Sequence, residues 1–439
     1  TTLLTTMKRV LIITYYWPPS GGSGVQRWLK MSKYLPQNGW KPVIYTTSDA
    51  EYPVEDESLE KDVSPETEVI RRPIVEPYTI YKRFIGIKKN DKVKAGFINE
   101  GKEKSSWKEN LSLWARGNLF IPDARCLWIK PSVRFLSKYL KENHIDAIIS
   151  TGPPHSMHLI ARELHKKTNI PWIADFRDPW TEVFYFNSLK LSKRSILKHK
   201  KLEKQVLTES SHIVAVSWHE AEDLKKLGAN KVSVVTNGFD DECIDFEQKY
   251  SKNEKFVISY TGVFLPNESF VIWDAIKELC EENADFHNAL SINLIGHIDN
   301  SVRKYIHEKG LDDKYNNVEY VEHEKALEYQ RMSDLLLLMV PIAEKAEAIL
   351  TGKLFEYLAS GRPILAVAPV NGDVAKVIKE THSGVTIDYD DKKMMKEALS
   401  DFYQKYAENQ LITRDTSLVS HYSRKNLTKD YAKLLNDLL

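Results

Sequence analysis

The residues best placed to do chemistry lie in the run Thr351-Gly352-Lys353-Leu354-Phe355-Glu356-Tyr357-Leu358-Ala359-Ser360-Gly361-Arg362-Pro363-Ile364-Leu365-Ala366. It reads as an apolar helix that carries one carboxylate, stops at Ser360-Gly361 and is followed after Pro363 by a buried strand. The Gly352-Lys353 pair falls at the helix start, where backbone N–H groups lack partners and the helix dipole favours anions. Such a helix suits a diphosphate at its N-terminus and a ribose hydroxyl on Glu356, the chemistry of a nucleotide-sugar site.

Other loops add candidates. Trp17-Pro18-Pro19-Ser20-Gly21-Gly22-Ser23-Gly24-Val25 is a glycine-rich turn from strand to helix, where backbone can approach an anion closely. Tight turning alone also explains its glycines. It lacks the dinucleotide GxGxxG spacing, and the next strand ends in Thr46-Thr47-Ser48 without a ribose-binding acid, which disfavours a nicotinamide cofactor. Thr151-Gly152-Pro153-Pro154-His155-Ser156 and Asp175-Phe176-Arg177-Asp178-Pro179-Trp180 follow later strands. They present an imidazole, a guanidinium and two carboxylates; the plainer reading is that Asp and Arg in one loop pair with each other. His155 and His158 lack a nearby acidic or thiol third ligand, so capping or packing suits them better than metal. Thr236-Asn237-Gly238 has turn composition, and Gly262 and Gly296 end strands where backbone would come close to a ligand.

These loops need a scaffold of strands and covering helices. Apolar β-branched runs alternate with amphipathic stretches, the pattern of parallel sheets buried on both faces. Strands are expected at 10–14, 43–46, 145–150, 172–174, 213–216 and 232–235, with helices at 25–35, 132–143 and 156–167 among them. After a polar bridge at about 239–254, a second series is expected at 256–261, 292–295, 318–321, 335–340, 364–367 and 385–387. The fold class expected is α/β, two doubly wound Rossmann-like domains of six strands each, facing across a cleft. Ligands in such sheets sit beyond the carboxyl ends of the strands. The domains are expected at 7–240 and 255–415, with a helix in 416–439 returning to the first.

Composition narrows the function classes. The 439 residues have a net charge of +1, so no global field draws nucleic acid or membrane. Three scattered cysteines, Cys126, Cys243 and Cys280, give no disulfide framework or zinc spacing and fit a cytoplasmic setting. The longest apolar run, Leu335 to Ala343, is far below the ~20 residues that span a bilayer, and no leader pattern opens the chain. Thr1 to Thr6 read as a tail before a natural start at Met7. One stretch breaks the alternation: Arg71 to Gly117 holds twelve Lys/Arg against five Asp/Glu, with Tyr78, Tyr81, Phe84, Phe97, Trp107 and Trp114 interleaved. It is either a solvated excursion with aromatics packed on the sheet or a segment for an anionic bilayer surface.

Taken together, Trp17-Pro18-Pro19…Gly21-Gly22, Val235-Thr236-Asn237-Gly238, Tyr260-Thr261-Gly262, Leu294-Ile295-Gly296 and Lys353…Phe355-Glu356-Tyr357-Leu358-Ala359…Gly361-Arg362-Pro363 resemble a retaining family-four glycosyltransferase of GT-B fold, of the bacterial polysaccharide-biosynthesis type. The resemblance spans nearly all of Met7–Leu439. It implies a UDP or GDP sugar held mainly by the second domain, at Gly262, Gly296, Gly352, Lys353 and Glu356, with Glu356 on the ribose and Gly22 and Ser23 of the first domain approaching the diphosphate. It also implies a glycan or lipid-linked acceptor on the first domain, near His155 and Asp175, with the 175–178 loop by the transferred sugar. Two departures stand out. Relatives usually carry a second glutamate where this chain has Ala348, and an Arg and a Lys after the Tyr-Thr-Gly strand where it has Val263-Phe264-Leu265-Pro266-Asn267-Glu268-Ser269.

The expected activity is therefore sugar transfer by a cytoplasmic enzyme that can lie peripherally on the inner membrane face. Lys353, Arg177 and Asp178 are the catalytic candidates. Lys353 and Arg177, with the amides of Gly22–Ser23 and Gly352, are expected to replace the missing cations. No metal, cofactor or nucleic acid is expected. Two rivals remain: a catalytically degenerate GT-B protein that binds nucleotide or glycan as an assembly subunit, and an epimerase on the same fold.

Overall fold

The computed structural model describes residues 7–76, 114, 117–183, 186–243, 251–266, 268–319, 321–411 and 416–439. The chain divides into two units, one of residues 1–236 with 427–439 and one of residues 237–426.

Unit one is built on β1 (Lys8–Ile13), β2 (Trp40–Thr47), β3 (Glu68–Arg72), β4 (Ala147–Gly152), β5 (Trp172–Phe176), β6 (His212–Ala215) and β7 (Val232–Val234). They form one parallel sheet in the order β3-β2-β1-β4-β5-β6-β7. Helices α1 (Ser23–Tyr34), α2 (Ile129–Glu142), α3 (Ser156–Thr168), α4 (Lys193–Glu209) and α5 (Trp218–Lys226) connect or flank them. Alternation along β1 shows why its sequence is an unbroken apolar run. Val10 and Ile12 enter one core, Leu11 and Ile13 the other, and all four are fully buried.

Unit two carries β8 (Phe256–Thr261), β9 (Leu290–Ile295), β10 (Tyr315–Val318), β11 (Leu335–Met339), β12 (Ile364–Val367) and β13 (Gly384–Ile387). Its parallel order is β10-β9-β8-β11-β12-β13. Helices α6 (Val271–Glu282), α7 (Asn300–Glu308), α8 (His323–Arg331), α9 (Gly352–Ser360), α10 (Asp373–Glu380) and α11 (Lys392–Ala407) pack on it. Strand order reverses between β1 and β4 in unit one and between β8 and β11 in unit two. The loops leaving those strands are the ligand positions of doubly wound sheets.

The last helix, α12 (Arg424–Asp437), gives Leu427, Tyr431 and Leu435 to the core of unit one, at the spacing of one helical stripe. Tyr431 meets Trp28 edge-on at 5.0 Å.

The first sheet has seven strands, not six. β3, Glu-Val-Ile-Arg-Arg, lies at the sheet edge and is only half-buried, so charge hides its period. Arg71 and Arg72 of the basic stretch belong to β3. Arg71 donates to the Pro18 carbonyl at 2.8 Å, and Arg72 lies over the Phe135 ring. Of the rest of that stretch, residues 77–113, 115 and 116 lie outside the described residues, as does the expected tail at 1–6.

Candidate functional site

In unit two the loops after β8 and β9 are stitched side by side. The Gly262 N–H donates to the Ile295 carbonyl and the Gly296 N–H to that of Val318, both at 2.8 Å. Gly262 and Gly296 have φ of +122° and +117°, a region that side chains oppose. At Gly296 space forbids a side chain too, because a Cβ there would sit 2.3 Å from the Gly262 oxygen.

Helix α9 starts beside them. Thr351 supplies no side-chain cap, no acid stands in the first turn, and Gly352 is exposed, so the dipole and free N–H groups are open to an anion. Lys353 Nζ donates to Tyr260 Oη at 2.8 Å and sits 4.1 Å from that ring's centre. It is also the group a Gly262 side chain would meet first. Burial pulls its pKa down to about 8 against the opposing pull of Glu268 and Glu356.

Glu356 lies one turn further along the helix. Burial pushes its carboxyl up, but the hydrogen bond from His323 Nε2 to Oε1 at 3.0 Å, the His323 charge, the Gln330 amide and the Arg424 charge together leave it below the usual range. Gln330 Nε2 donates to Glu356 Oε2 at 3.3 Å and to Thr261 Oγ1 at 3.1 Å. The structure thus gathers Gly262, Gly296, Gly352, Lys353 and Glu356 at the carboxyl end of one sheet.

Unit one gathers the other candidates at the ends of its β1, β4 and β5. Gly22 precedes α1 with φ +81°, no side chain caps the helix, and Gly22 and Ser23 are exposed. Arg177 is a brace rather than a free cation: Nη1 donates to the Gly24 carbonyl at 2.7 Å and Nη2 to that of Pro153. Asp178 beside it is exposed.

Asp175, expected on the loop, is a residue of β5 and fully buried. Its carboxylate accepts from Arg27 Nη2 at 2.9 Å, Trp28 Nε1 at 2.9 Å and Thr151 Oγ1 at 2.8 Å, so it ties α1 and β4 to β5. The alternative pairing of Asp175 with Arg177 is therefore not what forms. His155 is stacked on Trp180 at 4.6 Å with its Nδ1 buried and unpartnered. His158 Nδ1 meets Ser150 Oγ at 2.8 Å. Burial holds both imidazoles neutral, His158 at about 3.

Tyr260, Glu268, His323 and Gln330 complete the unit-two cluster and were missed from sequence. Tyr260 belonged to the Tyr-Thr-Gly strand and Glu268 lay in the loop after it, but neither was given a role; His323 and Gln330 carried no signal. Among the described residues no group of three or more His, Cys, Asp or Glu is arranged to hold a metal ion.

Two Rossmann-like units with these strand orders, a glycine turn at each switch point and a last helix joining the first unit's core define the architecture. The fold is GT-B. Solved structures agree. Sucrose-phosphate synthase from Thermosynechococcus elongatus is 13% identical, over 98% of this chain and 99% of that one, with a TM-score of 0.61. Anabaena HepE in complex with UDP-glucose is 11% identical over 98% and 99%, with a TM-score of 0.57. The lipopolysaccharide outer core galactosyltransferase WaaB is 13% identical over 98% and 100%, with a TM-score of 0.56. At such identities the likeness shows the GT-B fold alone. Residues 106–242 match the family described as Glycosyltransferase Family 4. No curated protein sequence matches the chain. A glycosyltransferase family segment on a GT-B scaffold indicates an enzyme that transfers sugar from a nucleotide sugar.

Proposed function

We propose that this GT-B enzyme moves a sugar from a UDP or GDP donor to a glycan or lipid-linked acceptor, with retention of anomeric configuration. The observation that carries the reading is the open start of α9, with Lys353 at its mouth and Glu356 one turn on, beside the glycine loops Gly262 and Gly296. The amides of Gly352 and Lys353 and the Lys353 ammonium would take the negative charge that grows on the leaving diphosphate. Glu356, with a lone pair to spare on each oxygen, would accept the ribose hydroxyls. Gly22 and Ser23 would offer amides from α1 in the same way, while Arg177 fixes that turn and Asp178 stands by the transferred sugar. Charge neutralisation then falls to protein groups, and no metal is required.

HepE, solved with UDP-glucose, supports a nucleotide-sugar donor on this fold. The acceptor is proposed to meet the loop of His155. The basic stretch 71–117 would hold the enzyme at an anionic membrane surface, where a lipid-linked acceptor resides; among the described residues no helix is long and apolar enough to cross a membrane.

One observation favours the rival reading of a binding subunit without transfer. The loop after β8 brings a carboxylate, Glu268, and no cation to the phosphate end of α9. A thermal-shift panel of UDP, GDP, ADP and CMP followed by an assay of nucleotide release separates the two. A nucleotide at a hundredfold its Kd should stabilise the protein by ~2.7 kcal/mol. Acceptor-dependent release of that nucleotide is the expected result; binding without release supports the subunit. An axial-to-equatorial change at the anomeric carbon, read by proton NMR of the product, would overturn retention.

A further inference from the structure

Glu268 is buried beside Lys353 with one carboxylate oxygen unaccounted for. Its side chain is 5% exposed and Oε2 has no hydrogen-bond partner. Oε1 lies 3.4 Å from Tyr260 Oη, the atom that accepts from Lys353 Nζ. Tyr260 has one hydroxyl proton, and the Val263 carbonyl at 2.6 Å takes it. The carboxylate therefore gains little from Tyr260, and although a Leu265 backbone hydrogen bond favours its charged form, an ionised carboxylate buried this deeply with one oxygen unpartnered is costly. The nearest opposite charge is the Lys353 ammonium, which acts on it through space. Among the described residues, the groups that perturb this pair by charge are Tyr260 from β8 and Glu356 and Tyr357 from α9.

We propose that Glu268 is the positioning residue for Lys353: it holds the ammonium against Tyr260, and it takes up a proton when a diphosphate draws that ammonium away. The inference rests on the nucleotide reading given above. As Lys353 turns to the diphosphate, Glu268 loses its counter-charge and gains an anionic neighbour, and both changes favour the neutral acid. The proton comes from solvent and ends on a Glu268 oxygen. Tyr260 Oη, released by Lys353, then has a free lone pair for the new Glu268 O–H, so the hydrogen-bond count closes. Burial already holds the Glu268 carboxyl at about 7, so the uptake falls near neutral pH. A carboxylate in this loop thus does not cancel the cation; it gives up its charge as the anion binds.

The test is infrared difference spectroscopy of the full chain near neutral pH, with and without UDP or GDP, whichever binds by calorimetry. Wild type should gain a protonated-carboxyl C=O band on binding. E268Q should lack it, the nucleotide's own bands cancelling between the two. A bound nucleotide with no new band, or the same band in E268Q, overturns the proposal. Should E268Q fail to fold, the wild-type spectrum decides alone. Silence with both nucleotides in calorimetry overturns the nucleotide reading and this inference with it.

Discussion

Lys353 carries the largest share of the chemistry assigned to any one side chain. It is the cation at the open end of α9 and faces Glu268 and Glu356. Lys353→Ala should lower turnover by about 10²–10³, the effect of losing one preorganised stabiliser of leaving-group charge. Nucleotide affinity should fall far less, because the α9 amides remain. Steady-state kinetics beside calorimetry checks this, and unchanged turnover would reject the role. Sequence made Lys353 and Glu356 legible because position in a helix follows from local pattern. It gave Tyr260 and Glu268 no role and left His323 and Gln330 unseen, because only tertiary contact brings β8, α8 and α9 side by side. Asp175 and Arg177 were legible as loop chemistry, yet the structure spends Asp175 on Arg27, Trp28 and Thr151, and Arg177 on two backbone carbonyls.

At the level of elements, the paired loops after β8 and β9 depend on two glycines for different reasons. A side chain at Gly296 meets both an unfavourable φ and the Gly262 carbonyl. Gly296→Ala should therefore cost at least about 1–3 kcal/mol and weaken nucleotide binding; a wild-type urea midpoint would contradict this. The junction of β4 and α3 makes a pH prediction. His158 is fully buried with its pKa held at about 3, and His155 is lowered as well. A depressed histidine stabilises the fold fully above its unfolded pKa of about 6.5 and loses that contribution as pH falls. Between pH 6.5 and 5 His158 alone should withdraw about 2 kcal/mol. Urea midpoints across that range test it: H158Q should flatten the slope, and an unchanged slope would refute the assignment. The strand list was largely legible, since runs such as Phe256–Thr261 and Ile364–Val367 are apolar throughout. β3 was not, because an edge strand with three charged residues in five shows no apolar period.

For the whole molecule, pattern alone gave two doubly wound units, and the strand orders of both sheets bear this out. A helix in 416–439 returning to the first domain was expected, and the structure places Leu427, Tyr431 and Leu435 of α12 in the core of unit one. Near-zero net charge with a local excess of about +7 in residues 71–117 predicts binding to anionic vesicles that high salt abolishes, each Lys or Arg that reaches the surface adding about 1 kcal/mol. Sedimentation with vesicles checks it, and no binding at low salt would refute it. The most direct test of the nucleotide-sugar site is calorimetric titration of UDP and GDP into wild type and E356Q. One of the two nucleotides should bind wild type and lose tenfold or more in affinity in E356Q, about 1.4 kcal/mol. Binding by neither, or equal binding in both proteins, would contradict the site.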